Sequence, residues 1–342
     1  MYAKVDFINN KADIYFINVR INIGNILGSL KGGDRVLQNN ELIKKLISTL
    51  GEEKVFINEP MKSHTSFKIG GPADLLILPD SSKQIEDVMR CLVSDNVPYM
   101  VMGNGTNLLV SDKGIRGVVI KIYDNMDRYS IDGEYMELEA GMLISKASKI
   151  ALQNSLSGLE FAEGIPGTIG GAVTMNAGAY IGEMSTVVDE TEYLDANGRI
   201  VTVKGEEHGF SYRTSIIQKT KGIVLKTRLK LNFGDYKKIK DLMDDFNFKR
   251  RDKQPLEWPS AGSVFKRPQG YFVGKLIDDC GLRGFSIGGA KISDKHSGFI
   301  INTGDATCKD VLDLIRYIQK NVSEKFNVEL EPELRIVGDF NI

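Results

Sequence analysis

The hydrophobic positions of this chain change their period along its length, and those changes mark its elements. Between Val5 and Ile23 apolar residues alternate loosely, as in a strand, before a glycine loop at Gly28–Gly33. Glu41–Leu50 reads as a short helix. Ser81-Ser82-Lys83-Gln84 has the form of a capping box opening a helix that runs to about Asp95. Tyr99–Met102 is a brief buried strand ended by Gly103, and Leu108-Leu109-Val110 is strand-like. Val118–Ile122 and Met136–Ala140 are further strands, and Leu143–Asn154 is a helix. Thr191–Val203 is a hairpin with Asn197-Gly198 at its tight turn. Strand Gly222–Leu231 leads into the charged helix Lys237–Arg251, whose composition shift marks a domain boundary. A helix over Tyr271–Cys280 is stopped by Gly281. Thr307–Phe326 is a long helix with Ile315, Ile318 and Val322 on one stripe, and Glu333–Val337 is a last strand. Strands and helices mix irregularly, so the pattern predicts an α+β fold rather than a doubly wound sheet.

One stretch follows neither period. Gly164-Ile-Pro-Gly-Thr-Ile-Gly-Gly-Ala-Val-Thr-Met-Asn-Ala-Gly178 is rich in glycine, yet Ile165, Ile169, Val173 and Met175 are apolar. A core helix does not read this way, because each interior glycine costs roughly 1 kcal/mol relative to alanine. A flexible linker would not carry the apolar residues. The pattern implies backbone that approaches something closely, such as a phosphate or a flat cofactor.

Composition narrows the classes. The chain has 342 residues, enough for two or three domains. Its net charge of −1 gives no field that would gather nucleic acid or an anionic membrane. No window of about twenty apolar residues exists to span a bilayer. Cys91, Cys280 and Cys308 are odd in number and scattered, which suits reduced thiols in the cytoplasm. His64, His208 and His296 show no metal-ligand spacing, so no metal is expected. Nothing points to an obligate protein partner.

Read singly, the other motifs leave alternatives open. Gly103-Asn-Gly-Thr-Asn107 begins like a dinucleotide fingerprint, but Leu108 replaces the third glycine and a strand follows instead of a helix. It is either a turn or one half of a pyrophosphate clamp whose other half is 164–178. Tyr212-Arg213-Thr214-Ser215 is either a solvated strand edge or an anion contact. In Ser260-Ala-Gly-Ser-Val-Phe-Lys266 the hydroxyl of Ser263 has no histidine nearby in sequence, so a proton donor suits it better than a nucleophile. Lys249-Arg250-Arg251-Asp252-Lys253 sits at a helix end, where it complements the dipole or meets a diphosphate.

Taken in order, these motifs resemble a known family. His64-Thr-Ser-Phe-Lys-Ile-Gly-Gly-Pro-Ala-Asp74, Gly103–Leu109, Gly164–Gly171 with Asn176-Ala-Gly178, Tyr212-Arg213, Ala261-Gly-Ser-Val-Phe-Lys266 and Glu333-Leu-Arg335 occur as in the UDP-N-acetylenolpyruvoylglucosamine reductases. The resemblance runs from about residue 45 to the end. It implies two FAD-binding subdomains of the vanillyl-alcohol-oxidase (PCMH) type, at 46–121 and 122–235. An α+β substrate domain would follow at 236–330, and a C-terminal strand at 331–342 would return to the site. Residues 1–45 would be an extension with a first helix.

The resemblance also implies a reaction. NADPH reduces non-covalently bound FAD, and the enolpyruvyl UDP-sugar then becomes UDP-N-acetylmuramate, a peptidoglycan precursor. It assigns Ser263 as proton donor, with Arg213 and Glu333 as the other catalytic residues. Cofactor contacts fall on Gly103, Asn104, Gly105, Thr106, Asn107 and Leu108, and on Gly164, Ile165, Pro166, Gly167, Thr168, Gly170, Gly171, Ala172, Asn176 and Gly178. Substrate contacts fall on Tyr212, Arg250, Lys253 and Lys266. Strand 222–231 runs almost directly into the next helix, which leaves no room for the tyrosine-bearing substrate loop of some members. The chain therefore resembles the shorter, second type. Arg267 stands where some members carry asparagine, and Leu334 where valine is commoner. Rival readings are another FAD oxidase of the same fold, with His64 as a flavin tether, or a flavin-free scaffold.

Overall fold

The computed structural model describes residues 40–340, so the strand and loop expected at Val5–Ile23 and Gly28–Gly33 lie outside the described residues. The first unit is a four-stranded sheet in the order Val55–Pro60, Pro72–Ile77, Ile115–Lys121, Tyr99–Met102. Its first pair is antiparallel and the others are parallel. Helices Asn40–Leu50 and Ser82–Ser94 cover one face with Leu42, Leu46, Ile85 and Met89. Ser81 caps the second helix by accepting from Gln84 N, while the Gln84 side chain accepts from Asp80 N, one residue before the usual box position.

The second unit is a five-stranded antiparallel sheet in the order Ile200–Lys204, Val188–Leu194, Ile223–Lys230, Tyr135–Glu139, Tyr129–Asp132. Gly198 turns its first hairpin at φ +76. Helix Ile144–Gln153 lies against it, and both units share one hydrophobic core. Strand Ile223–Lys230 is followed by the two-residue strand Asn232–Phe233 and then helix Tyr236–Lys253, so the connection is as short as expected.

That helix, expected to open the substrate domain, turns its buried side to the second unit. Its buried residues Ile239, Met243, Phe246 and Arg250 pack against Ile144–Gln153 and Glu160–Ala162 of the second unit. Its charged outer face signals a boundary in composition, but its apolar stripe belongs to the sheet it leaves.

The third unit is a four-stranded antiparallel sheet in the order Ser260–Ser263, Phe299–Asn302, Ala290–Ile292, Ser286–Ile287. Helices Val273–Asp279 and Cys308–Phe326 pack on it through Leu276, Ile277, Leu314 and Ile318. Phe67, Ile69 and Leu109 of the first unit enter this same core. The last strand, Arg335–Val337, returns to pair in parallel with Leu108–Val110.

Asp112 adds a polar joint between the first and third units. Its carboxylate accepts from Cys308 N at 2.8 Å and Lys309 N at 3.1 Å, capping a helix from outside that helix's own chain segment. Asp112→Ala should lower stability by about 0.5–2 kcal/mol, the range for losing an N-cap. A thermal melt of the variant checks this, and an unchanged midpoint would count against the joint.

Strands Pro72–Ile77 and Phe299–Asn302 are absent from the sequence reading for one reason. Both are buried on two faces, so neither shows the period of two that announces a half-exposed strand.

Candidate active site

The two glycine-rich loops meet. Asn104 Nδ2 donates to the Pro166 carbonyl at 2.8 Å. Gly103 faces Thr168 so closely that a methyl group there would lie 2.2 Å from Thr168 Oγ1. Gly105 has φ +68, and a methyl group on it would lie 2.2 Å from the His64 carbonyl oxygen. Gly167 stays open, with only Thr106 Oγ1 nearby at 3.9 Å. The loops thus form two walls of small residues, a shape that suits a pyrophosphate and its flat cofactor. Gly105→Ala should cost at least 1–3 kcal/mol or so at this loop, since it adds both a clash and a left-handed backbone. The purified variant should be colourless or pale; full flavin content would count against the role given to the loop.

The stretch 164–178 is not all loop. Ile169–Thr174 forms a short helix, capped by Thr168 Oγ1, which accepts from Gly171 N at 3.3 Å. Gly170 packs its Cα on Ala140, and its N–H donates to the Ala140 carbonyl at 2.8 Å. Here close helix–strand packing overrides low helix propensity. Ala172 is buried in the core. Asn176 is fully buried with φ +46, and its amide is spent inside the protein on Glu183, Ser211 and Ser185. These residues shape the wall, and Gly178 offers its carbonyl to Arg213.

Arg213 and Glu333 are hydrogen-bonded to each other, and Glu333 also bonds to the residue after Ser263. Arg213 Nε donates to Glu333 Oε1 at 2.7 Å, and its Nη2 donates to Gly178 O at 3.2 Å. Arg213 holds φ +55, a strained value for a residue with a side chain. Glu333 N donates to Val264 O at 2.7 Å, which sets the glutamate beside Ser263. Asn107 of the cofactor loop donates to Glu333 O at 3.2 Å and accepts from Arg335 N at 2.9 Å. Ser263 follows Gly262, which has φ +80 within a register shift of its strand. Such a bulge re-aims the side chain that follows it. Among the described residues Ser263 Oγ has only a long contact, 3.4 Å to Phe265 O, so its proton is weakly committed.

Of the expected substrate residues, Tyr212 is exposed, with its ring 5.0 Å from the Arg213 guanidinium. Its hydroxyl accepts from Arg267 N at 3.5 Å. Lys266 pairs with Glu331. Lys253 is exposed at the end of its helix. Arg250 is buried against Gly164, and burial pushes its pKa down.

The sequence reading missed a cleft of about 430 Å³ in the third unit, lined by Lys275, Asp278, Arg283, Lys295, His296 and Ser297. Burial pushes the His296 pKa down. Lys295 Nζ donates to Arg251 O at 2.7 Å, so the cleft adjoins the basic helix end. Its residues lie on separate loops and share no spacing that sequence could reveal. His64, the suggested flavin tether, has Nε2 at 2.8 Å from Glu59 Oε1 and Nδ1 at 3.3 Å from Lys121 Nζ, so both ring nitrogens have partners.

Comparison with known proteins gives one answer. Residues 73–204 match the FAD binding domain model, and residues 254–337 match the model described as UDP-N-acetylenolpyruvoylglucosamine reductase, C-terminal domain. The reductase of that name from Caldanaerobacter subterraneus is 54% identical over 87% of this chain and 98% of its own length. The one from Clostridium tetani is 52% identical over 87% of this chain and 97% of its own. The crystal structure of the Thermus caldophilus reductase superposes with a TM-score of 0.70 at 36% identity, covering 83% of this chain and 98% of that one. The C-terminal domain model begins at 254, just after the helix that packs on the second unit. On this evidence the chain belongs to the UDP-N-acetylenolpyruvoylglucosamine reductase family.

Proposed function

We propose that Arg213, Ser263 and Glu333 carry the reduction of an enolpyruvyl UDP-sugar to UDP-N-acetylmuramate, at the junction of the cofactor clamp and the third unit. The observation that carries this reading is that Glu333 bonds at once to Arg213, to Asn107 of the clamp and, through its N–H, to Val264, the residue after Ser263. FAD, reduced by NADPH and held without a covalent bond, supplies the hydride.

The chain's own residues do the rest. Hydride addition at the terminal carbon of the enol ether leaves negative charge toward the pyruvyl carboxylate. Arg213 meets that charge with a permanently charged, bidentate guanidinium. Its Nε is already held by Glu333, so its free edge is fixed in direction. Ser263 donates a proton to the adjacent carbon from one face, which sets the configuration. Glu333 orients Arg213 and helps return a proton to the serine. Lys253, Lys266 and the cleft with Arg283 and His296 offer cationic or donor groups to the nucleotide diphosphate. Tyr212 and Arg267 close the rim. A cytoplasmic location suits this reading, as do the three free thiols.

Neither a flavin oxidase with a different substrate nor a flavin-free scaffold has an observation in its favour. Glu333→Gln keeps the backbone bonds to Val264 and Asn107 and removes only the carboxylate. Turnover should fall by about 10²-fold with flavin content unchanged, on the scale of one lost electrostatic group. Steady-state NADPH oxidation with the enolpyruvyl substrate checks this, and undiminished turnover would exclude the glutamate from the chemistry.

A further inference from the structure

A buried cation whose donors lack hydrogen-bond partners is costly even after relaxation. Arg250 is only 8% exposed, and its Nε and Nη2 have no hydrogen-bond partner among the described residues. Its side chain lies under the first residue of the cofactor loop. Gly164 has φ +75, and a methyl group there would stand 3.0 Å from both Cδ and Nε of Arg250. The residue before it, Glu163, is 6% exposed, and its Oε2 also lacks a partner. The other oxygen of Glu163 faces Asn247 Nδ2 at 3.4 Å and Lys149 Nζ at 3.9 Å. Beside the first glycine of the clamp, two donors of Arg250 and one acceptor of Glu163, close enough to act on each other electrostatically, thus lie buried without partners among the described residues.

A diphosphate does not suit this pair. It offers only acceptors and would repel Glu163. A flat imide edge, with carbonyls flanking an N–H, satisfies both residues at once. Two molecules in this reaction carry such an edge: the flavin, in its pyrimidine ring, and the substrate, in its uracil. Position favours the flavin, because Pro166, two residues beyond Gly164, is bonded to Asn104 across the clamp.

We infer that Arg250 and Glu163 grip the pyrimidine edge of the flavin, with Arg250 donating to its carbonyl side and Glu163 accepting from its N–H. This rests on FAD being the cofactor, and it replaces the substrate role that family resemblance gives Arg250. Arg250 then stabilises negative charge on the reduced ring and raises its potential, and Glu163 opposes it.

The test uses the full-length holoprotein as wild type, Arg250→Gln, Arg250→Lys and Glu163→Gln, with circular dichroism to confirm folding. Three quantities are read: FAD dissociation by fluorescence, flavin midpoint potential against a reference dye, and UDP affinity by calorimetry. Arg250→Gln should weaken FAD binding at least tenfold. It should weaken the reduced form about tenfold more than the oxidised form, which is a potential lower by about 30 mV for two electrons. Arg250→Lys should recover the potential better than the affinity, because it restores charge without the planar fork. Glu163→Gln should move the potential upward. Wild-type FAD affinity and potential in Arg250→Gln, with UDP affinity lost, would overturn the inference in favour of uracil. If Arg250→Gln does not fold, an unmoved potential in Glu163→Gln overturns it.

Discussion

Ser263→Ala keeps the yellow protein able to accept hydride from NADPH but lowers its turnover of the enolpyruvyl substrate by about 10²–10⁴-fold, the usual worth of a positioned general acid. The expectation follows from where the hydroxyl sits. It ends a strand that Gly262 bends, its contact to Phe265 O is 3.4 Å long, and the next residue is pinned to Glu333 by a 2.7 Å backbone bond. Alanine keeps the strand pairing with Phe299 and removes only the oxygen. Stopped-flow absorbance separates the half-reactions. Normal flavin reoxidation by substrate in the variant would remove the serine from the mechanism.

Arg213→Gly gives a similarly large loss, about 10²–10³-fold in turnover, with little loss of folding stability. Glycine relaxes the left-handed backbone at φ +55, worth about 1–2 kcal/mol, which offsets part of the lost pair with Glu333. The variant thus isolates the chemical role of the guanidinium from its structural one. Its melting temperature and flavin content should stay near wild type while NADPH-dependent product formation collapses. Loss of flavin instead would mean that Arg213 serves the cofactor wall through Gly178.

How much of this was legible in sequence depends on the kind of signal. Caps, turns and one-sided helices were readable. Thr307 opens its helix by accepting from Asp310 N, Gly281 closes another at φ +72, and Asp195 organises the Asn197-Gly198 turn. The α+β class was readable, and the two glycine loops suggested a clamp whose close meeting the structure explains at Gly103, packed against Thr168. Pro72–Ile77 and Phe299–Asn302 were not read, since burial on both faces leaves them without alternation, although the equally buried Leu108–Val110 was read as a strand. The helix at Ile169–Thr174 was hidden by its glycines, which tertiary packing on Ala140 overrides.

The site divides in the same way. Arg213, Ser263 and Glu333 are separated by 50 and 70 residues, and no spacing rule joins them. Family order supplied the set; the Glu333 backbone bond to Val264 supplies its physical reason. Arg250 shows the converse. Its place at a basic helix end suggests a diphosphate, while its buried, unpaired guanidinium beside Glu163 suggests a neutral polar edge.

Reduced enzyme should pass its electrons to an enolpyruvyl UDP-sugar. Enzyme reduced anaerobically with one equivalent of NADPH, then mixed with that substrate, tests it directly. The yellow absorbance should return in a single phase as one equivalent of UDP-N-acetylmuramate forms. Flavin that stays bleached with the substrate, or recovers without that product, would contradict it.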